Sequence, residues 1–434
     1  MIYRTLHLLL ALLITSAVQP AKAAPNQEPF PTAASKKGLQ VQMIDDALAL
    51  GIKHAALNVN LASLLQLTNN PQSLPWTNSD GQPFYFHAVH VQALDRPIKT
   101  LSDSNVIVSL IILAYESHKP ELNKVLLHPR YDRKAPNHLG AFNTETPEGT
   151  RYLAACIEFL ADRYSRSDRR YGRAVNFIMG NEVNSHWFWY NMGPASMEEV
   201  ADAYLRAVRI AHTAIRKYSA TARVYLSLEH HWNIRYPGGN ERQAFAGRKF
   251  IDYFNQRAKA EGDFDWHLAF HPYPENLFNP RTWNDKTATL RDDTPRITFK
   301  NLEMLVAYFR LPELLFSGQP RRIILSEQGF HSGNSPEGEI LQAAAYAYAY
   351  YRVANLDGID SFIYHRQVDH PAEGGLNLGL WRRNEGNSSQ PITKKRIYDV
   401  FLHADRDDWQ KAFEFALPLI GIKSWYEIRP HLSP

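Results

Sequence analysis

A single-domain (β/α)8 TIM barrel is the fold class that the sequence predicts, and three observations carry the prediction. Short apolar runs rich in β-branched residues alternate with amphipathic helical patterns from residue 50 to about 405, giving eight strand-then-helix units. The strand-like runs are apolar throughout, which implies burial on both faces, and strands separated by helices pair in parallel. No glycine-rich phosphate fingerprint follows any of them, which weighs against an open doubly wound sheet, the competing architecture for such a pattern. Eight units in one chain close into a barrel.

The units run as follows. HAALNVN (54–60) is the first strand, followed by a helical stretch near 90–103. NVIVSLIILAYE (105–116) is an almost uninterrupted apolar second strand. LGAFN (139–143) is a weak third strand, followed by the helix TPEGTRYLAACIEFLADRYS. AVNFIMGNE (174–182) precedes a helix that Ser196 opens with Glu199 three places on, the pattern of a capping box. RVYLSLEHH (223–231) precedes a helix around 247–260, and FDWHLAFHPY (264–273) one around 300–315. RRIILSEQGF (321–330) precedes EILQAAAYAYAYYRVANL, and IDSFIYHR (359–366) precedes ITKKRIYDVFLHA.

Three long loops, 66–90, 117–138 and 367–391, leave the C-terminal ends of the first, second and eighth strands. Insertions at that end build the rim of a barrel's active site. Residues 24–49 read as an N-terminal lead ahead of the barrel domain, 50–434. Residues 1–23 have Arg4, an apolar stretch from Leu6 to Val18 and Ala21-Lys22-Ala23, the three parts of a secretory signal peptide cleaved near Ala23. The apolar stretch is too short to span a bilayer. The expected location is therefore periplasmic or secreted, with no membrane span in the mature chain.

Composition narrows the function. The formal charge of +4 falls to +2 once Arg4 and Lys22 leave with the leader, and the longest basic run is Lys394-Lys395-Arg396, so nucleic-acid binding is unsupported. The one cysteine, Cys156, excludes an intramolecular disulfide and lies in an apolar helical pattern, as a buried structural thiol does. Aromatic residues make up 12% of the chain, with 9 tryptophans and 22 tyrosines, enough to fill a core and to offer flat surfaces on which sugar rings stack.

Polar residues collect at the strand ends: Asn58 and Asn60, Glu116, Asn143, Asn181 and Glu182, His230 and His231, His271 and Tyr273, Glu327 and Gln328, His365. In a barrel these converge on one pocket. Glu182 ends the fourth strand and Glu327 the seventh, on facing sides, and two facing carboxylates are what glycosidic-bond cleavage requires: one protonates the leaving oxygen while the other attacks or directs water. Trp187, Trp189 and Tyr190 follow Glu182 closely, as an aromatic wall beside a carbohydrate would. No cofactor is expected. Two alternatives use the same residues: a metal-dependent hydrolase with His230, His231, His271, His365 and Glu327 as ligands, and an inactive carbohydrate-binding barrel.

Asn181-Glu182 at the end of the fourth strand, with Glu327 at the end of the seventh, resembles the signature of clan A glycoside hydrolases, the retaining (β/α)8 enzymes. The resemblance implies Glu182 as general acid/base, Asn181 as partner of the sugar 2-hydroxyl, Glu327 as nucleophile and Tyr273 as a hydrogen-bond donor to it. It also favours a β-type glycosidic bond. Two positions depart from the pattern: no arginine ends the first or second strand, and His365-Arg366 ends the eighth where a tryptophan is usual, Trp381 arriving later in GGLNLGLW.

Overall fold

The computed structural model describes residues 24–384 and 387–432, and the expected leader at 1–23 lies outside them. Eight parallel strands form a closed barrel: β1 (Lys37–Gln40), β2 (His54–Asn60), β3 (Ile107–Tyr115), β4 (Ala174–Met179), β5 (Arg223–Glu229), β6 (Trp266–His271), β7 (Ile323–Leu325) and β8 (Ile359–Tyr364). Each pairs with its neighbour in chain order, and β8 pairs with β1 to close the ring. The helices α1 (Ile44–Ala49), α2 (Ala88–Asp103), α3 (Pro147–Tyr164), α4 (Met197–Arg216), α5 (Gly247–Ala260), α6 (Leu302–Tyr308), α7 (Pro336–Ala354) and α8 (Arg396–His403) alternate with them. Among the described residues no helix is long and apolar enough to cross a membrane.

The (β/α)8 expectation holds, with two corrections to its strand list. LGAFN is not a barrel strand: only Leu139 and Gly140 pair, antiparallel, with the end of β3. The true first strand is KGLQ, inside the expected lead. It is four residues long and carries a glycine because its neighbours leave no room: a Cβ on Gly38 would come within 2.9 Å of the His54 Cβ and the Ile363 Cγ1. A strand this short and polar has no period to read. The two errors offset each other, so Glu182 and Glu327 still follow the fourth and seventh strands.

The middle of the barrel is filled from inward positions of successive strands, Ala56, Ile111, Ile178, Tyr225, Ala269, Ile324 and Ile363, all buried. The capping box of α4 forms with both its hydrogen bonds, Ser196 to the Glu199 N–H and Glu199 back to Ser196. Cys156 is buried in α3, and burial pushes its thiol up to about 12. The insertion after β2 does not build the rim. It forms a small antiparallel sheet that folds down over α3, where Phe86 stacks on Phe159 with centroids 3.8 Å apart and the Trp76 indole N–H donates to Asp162 at 2.8 Å.

Candidate active site

The chain turns sharply after β4. Gly180 takes φ +71°, where a Cβ would meet the Tyr190 ring at 2.7 Å, and Glu182 itself sits in the left-handed region at φ 42°. That conformation is costly for a residue with a side chain and persists only where neighbours enforce it. Here the Glu182 N–H donates to Ser227 Oγ on β5 at 3.1 Å, and its carbonyl accepts from the Ser185 N–H at 2.8 Å. The result aims the Glu182 carboxylate over the barrel mouth.

His271, at the end of β6, places Nδ1 2.8 Å from Glu182 Oε1 and Nε2 3.0 Å from Ser326 Oγ. Ser326 directly precedes Glu327, whose Oε1 accepts from the Tyr273 hydroxyl at 3.2 Å. A carboxylate oxygen of Glu182, one of Glu327 and a ring nitrogen of His271 all lie within 4.8 Å of one another. Burial pushes the Glu182 carboxyl above its ordinary range, and the charges of Glu327 and Glu229 add to this against the hydrogen bond from His271. Burial alone would lower His271, but its bond to Glu182 and the charge of Glu327 outweigh it and raise the imidazole. The Tyr273 phenol is raised well beyond its usual range by burial and by Glu327. The pair therefore shares a site in which a proton stays on the Glu182 and His271 side.

Two acidic residues that the sequence left unremarked belong here. Glu229, at the end of β5, accepts from Asn184 Nδ2 at 2.7 Å, from Ser185 Oγ at 2.8 Å and from the His231 N–H at 2.9 Å, with His231 Nδ1 at 2.6 Å. It clamps the turn that carries Glu182. Burial would raise it, but His231, by charge and hydrogen bond, and His230 hold it down at about 2. Its place ahead of His230-His231 in RVYLSLEHH was the available signal. The second, Glu373, lies in the loop after β8 within the electrostatic reach of Tyr115 and Tyr273, and no local pattern marks it.

The other expected residues divide into two groups. Asn181 is half-buried, and among the described residues its side chain has no hydrogen-bond partner. Trp189 is half-buried against the barrel's inner cluster, at the floor of the mouth. Trp187 is half-buried beside it, its N–H donating to the Gln243 carbonyl at 3.1 Å. His230 is buried with its ring centroid 4.4 Å from that of His231, and burial holds it near 3, hence neutral. His365 bonds Gln40 through Nδ1 and places Nε2 3.4 Å from Glu373. Asn58 is exposed in a cavity of about 310 Å3 that Gln40 and Arg366 also line.

Three expected residues lie elsewhere. Asn143 is buried in the loop before α3, where Nδ2 donates to the Lys124 carbonyl at 2.8 Å and Oδ1 accepts from the N–H groups of Glu145 and Thr146. Glu116 turns to Tyr131, Arg133 and His138 beside a separate cleft. Trp381 spends its indole N–H on Asp46 of α1 at 3.1 Å and packs on Tyr398 of α8. Nor do the four histidines converge on one ligand set: His230 and His231 gather with Glu229, His271 with Glu182 and Glu327, and His365 with Glu373. Each of the first two groups offers three donor atoms within 4.8 Å. Both nitrogens of His271 and both oxygens of Glu229 are already engaged inside the protein, a poor fit to a metal.

The profile of a family described as "Family of unknown function (DUF5722)" matches residues 29–428. No curated protein matches the sequence. Among solved structures, a family 39 glycoside hydrolase from the gut symbiont Bacteroides cellulosilyticus superposes with a TM-score of 0.52 and 13% identity over 83% of this chain. This chain spans 59% of that enzyme's length. A glucosidase from Croceicoccus marinus gives 0.51 and 11% over 88% of this chain and 69% of its own. At such identities the likeness is one of fold: the barrel resembles those of glycoside hydrolases.

Proposed function

This chain belongs to the DUF5722 family, and we propose that it is a retaining glycoside hydrolase that cleaves β-type bonds in an oligo- or polysaccharide. The observation that carries the reading is the approach of Glu182 and Glu327 oxygens to within 4.8 Å across the barrel mouth. Carboxyl groups of retaining enzymes stand about 5–5.5 Å apart, close enough for direct attack, whereas inverting pairs stand about 6.5–9.5 Å apart to admit a water.

The roles follow from the surroundings of each group. Glu182, raised by burial, keeps its proton and donates it to the glycosidic oxygen as that bond breaks. Glu327 attacks the anomeric carbon and forms a glycosyl ester. Tyr273, donating to Glu327 Oε1, orients it in the free enzyme and compensates the carboxylate when the ester departs. Glu182, now ionised, takes a proton from water, whose oxygen attacks the same carbon and frees Glu327. Asn181, with an uncommitted amide, reaches the sugar 2-hydroxyl, and Trp189 supplies a face for the ring.

The test is hydrolysis of an aryl β-glycoside and polysaccharide panel by the wild type and by Glu327→Ala, with and without azide. Loss of activity in the variant, partial rescue by azide and an inverted glycosyl azide product are expected. Hydrolysis that persists undiminished in Glu327→Ala overturns the assignment.

A further inference from the structure

Two loops on the Glu182 side of the mouth meet through aromatic rings. Phe188 follows Glu182 by six residues, in the short helix His186–Trp189, so at a helical rise of 1.5–2 Å per residue it stands on the order of 10 Å from the acid. Its ring meets that of Tyr236, from the loop after β5, edge to face with centroids 4.9 Å apart. Tyr236 in turn stands edge to face with His231 at 5.5 Å. His231 is tied to the acid's own turn: its Nδ1 lies 2.6 Å from Glu229 Oε2, and Glu229 Oε1 accepts from Asn184 and Ser185, the second and third residues after Glu182. An unbroken series of contacts therefore leads from the Tyr236 ring to the turn that aims Glu182.

Both rings are held in place yet left partly open. Tyr236 is 38% exposed and Phe188 is half-buried. The Tyr236 loop is closed by Arg235 Nε, which donates to the Gly239 carbonyl at 3.0 Å, and by the Gly239 N–H, which donates to the Tyr236 carbonyl at 3.1 Å. Its glycines lie against the rings: a Cβ on Gly238 would come within 2.5 Å of the Tyr236 ring, and one on Gly239 within 3.3 Å of Phe188 Cε2. On the other side Asn137 Nδ2 donates to the Phe188 carbonyl at 3.0 Å. Rings fixed in advance lose little freedom when a ligand lies on them.

The chemistry says what such a surface would meet. When Glu327 enters the anomeric carbon from one face, the leaving oxygen departs from the other, toward the proton on Glu182. Whatever that oxygen carries then lies over the elements around Glu182, where the open surface is aromatic and suits the C–H face of a sugar ring. We propose that Phe188 and Tyr236 form a subsite on the leaving-group side, a ledge for the sugar next to the cleaved bond, and that the substrate is a carbohydrate chain continued beyond that bond. The placement rests on the glycosidase reading, which puts the proton on Glu182.

The experiment compares substrates that share a glycone and differ on the leaving-group side alone: xylo-, cello- and manno-oligosaccharides, and the β-glycosyl fluorides of the same sugars, whose fluoride reaches no ledge. In Tyr236→Ala, kcat/KM on an oligosaccharide should fall about 10-fold, the worth of one stacked ring, and in Phe188→Leu severalfold, while on the fluoride it falls far less. An acceptor sugar uses the same ledge in the second step, so transfer to added sugar should lose ground to hydrolysis in both variants. Calorimetric titration of the Glu327→Ala chain with the oligosaccharides, with and without Tyr236→Ala, reads binding apart from turnover. An equal fall on both kinds of substrate, variants that bind and react like the wild type, or a wild type that acts on fluorides alone or binds none of the oligosaccharides overturns the inference. If Glu327→Ala still hydrolyses while Tyr236→Ala weakens oligosaccharide binding about 10-fold, the nucleophile assignment fails and the ledge stands.

Discussion

Both mouths of the barrel are charged, but they arrange their charges in opposite ways. At the N-terminal end opposite charges meet: Arg223 and Arg322 both bond Asp360, Lys37 pairs with Asp405, and Arg321 grips Asp263 with two bonds of 2.8 Å. The segment before β1 covers this end, with Phe30 stacked 3.6 Å from the Arg223 guanidinium. Burial takes His54 down to about 4, so it is neutral there. At the C-terminal end like charges are drawn together instead, Glu182 with Glu327 and Glu229, and Glu182, raised first by its burial, is raised further by those two charges. Paired opposites stabilise a fold. Enforced likes make a poor scaffold and a reactive one, and perturbed groups of this kind gather at functional sites.

The sharpest way to break the comparison is Glu182→Gln. If the upper mouth is built for chemistry, kcat should fall by about 10²- to 10⁴-fold, the usual worth of a general acid. Stability should not fall with it. A carboxyl raised in the folded state contributes stability fully present below its ordinary pKa and lost as pH climbs through the raised value. The variant lacks that titration, so denaturant unfolding should show it gaining on the wild type as pH rises from 4 to 8. The alkaline limb of the wild-type kcat/KM profile, where Glu182 loses its proton, should vanish too. A variant destabilised equally at both pH values would make Glu182 a structural residue.

Glu229 tests the boundary between the two behaviours, because it lies at the upper mouth but is paired. Glu229→Ala leaves Asn184, Ser185 and His231 facing an empty buried site and should cost about 3–5 kcal/mol in urea unfolding. Its pH dependence runs opposite to that of Glu182. Held at about 2, it contributes stability above the ordinary carboxyl range that fades as pH falls toward that value. The wild type should therefore lose its advantage over Glu229→Ala between pH 5 and 2. Asp360→Ala, at the lower mouth, frees two partly exposed arginines and should cost less, about 2 kcal/mol, with kcat/KM unchanged.

This contrast also explains what could be read from the sequence. Opposed carboxylates at strand ends are legible because β4 and β7 announce themselves: AVNFIM and the IIL of RRIIL are apolar runs, and Glu182, three residues past the first, and Glu327, two past the second, fall at the mouth by geometry. KGLQ gave no such signal, since its glycine answers to a contact with His54 and Ile363, far away in sequence. Asn143 and Glu116 were drawn into the site by proximity to strand ends, but a strand end does not say which way the following side chain turns. Asn143 turned to cap its own loop, and Glu116 to Arg133. Glu373 is the reverse case. It reaches the mouth from a loop, and only tertiary packing, by way of Arg366 and His365, brings it there.

Two tryptophans expected to face sugar give the smallest and most selective test. Trp189 lies on the inner cluster with part of its surface open, whereas Trp381 has its indole N–H on Asp46 and its ring on Tyr398. Asp46 keeps two further donors, Gln367 at 2.8 Å and the Tyr398 hydroxyl at 2.8 Å, so it is not stranded when the indole goes. Trp381→Phe should therefore lose one hydrogen bond, about 1 kcal/mol in thermal unfolding, and leave KM alone. Trp189→Phe removes stacking area without stranding a polar group, so stability should hold while KM rises severalfold on any substrate that spans the mouth. Should the two variants exchange behaviours, with KM rising in Trp381→Phe, the loop after β8 must swing its tryptophan from α1 onto the substrate, and the upper mouth would extend over β1 as well.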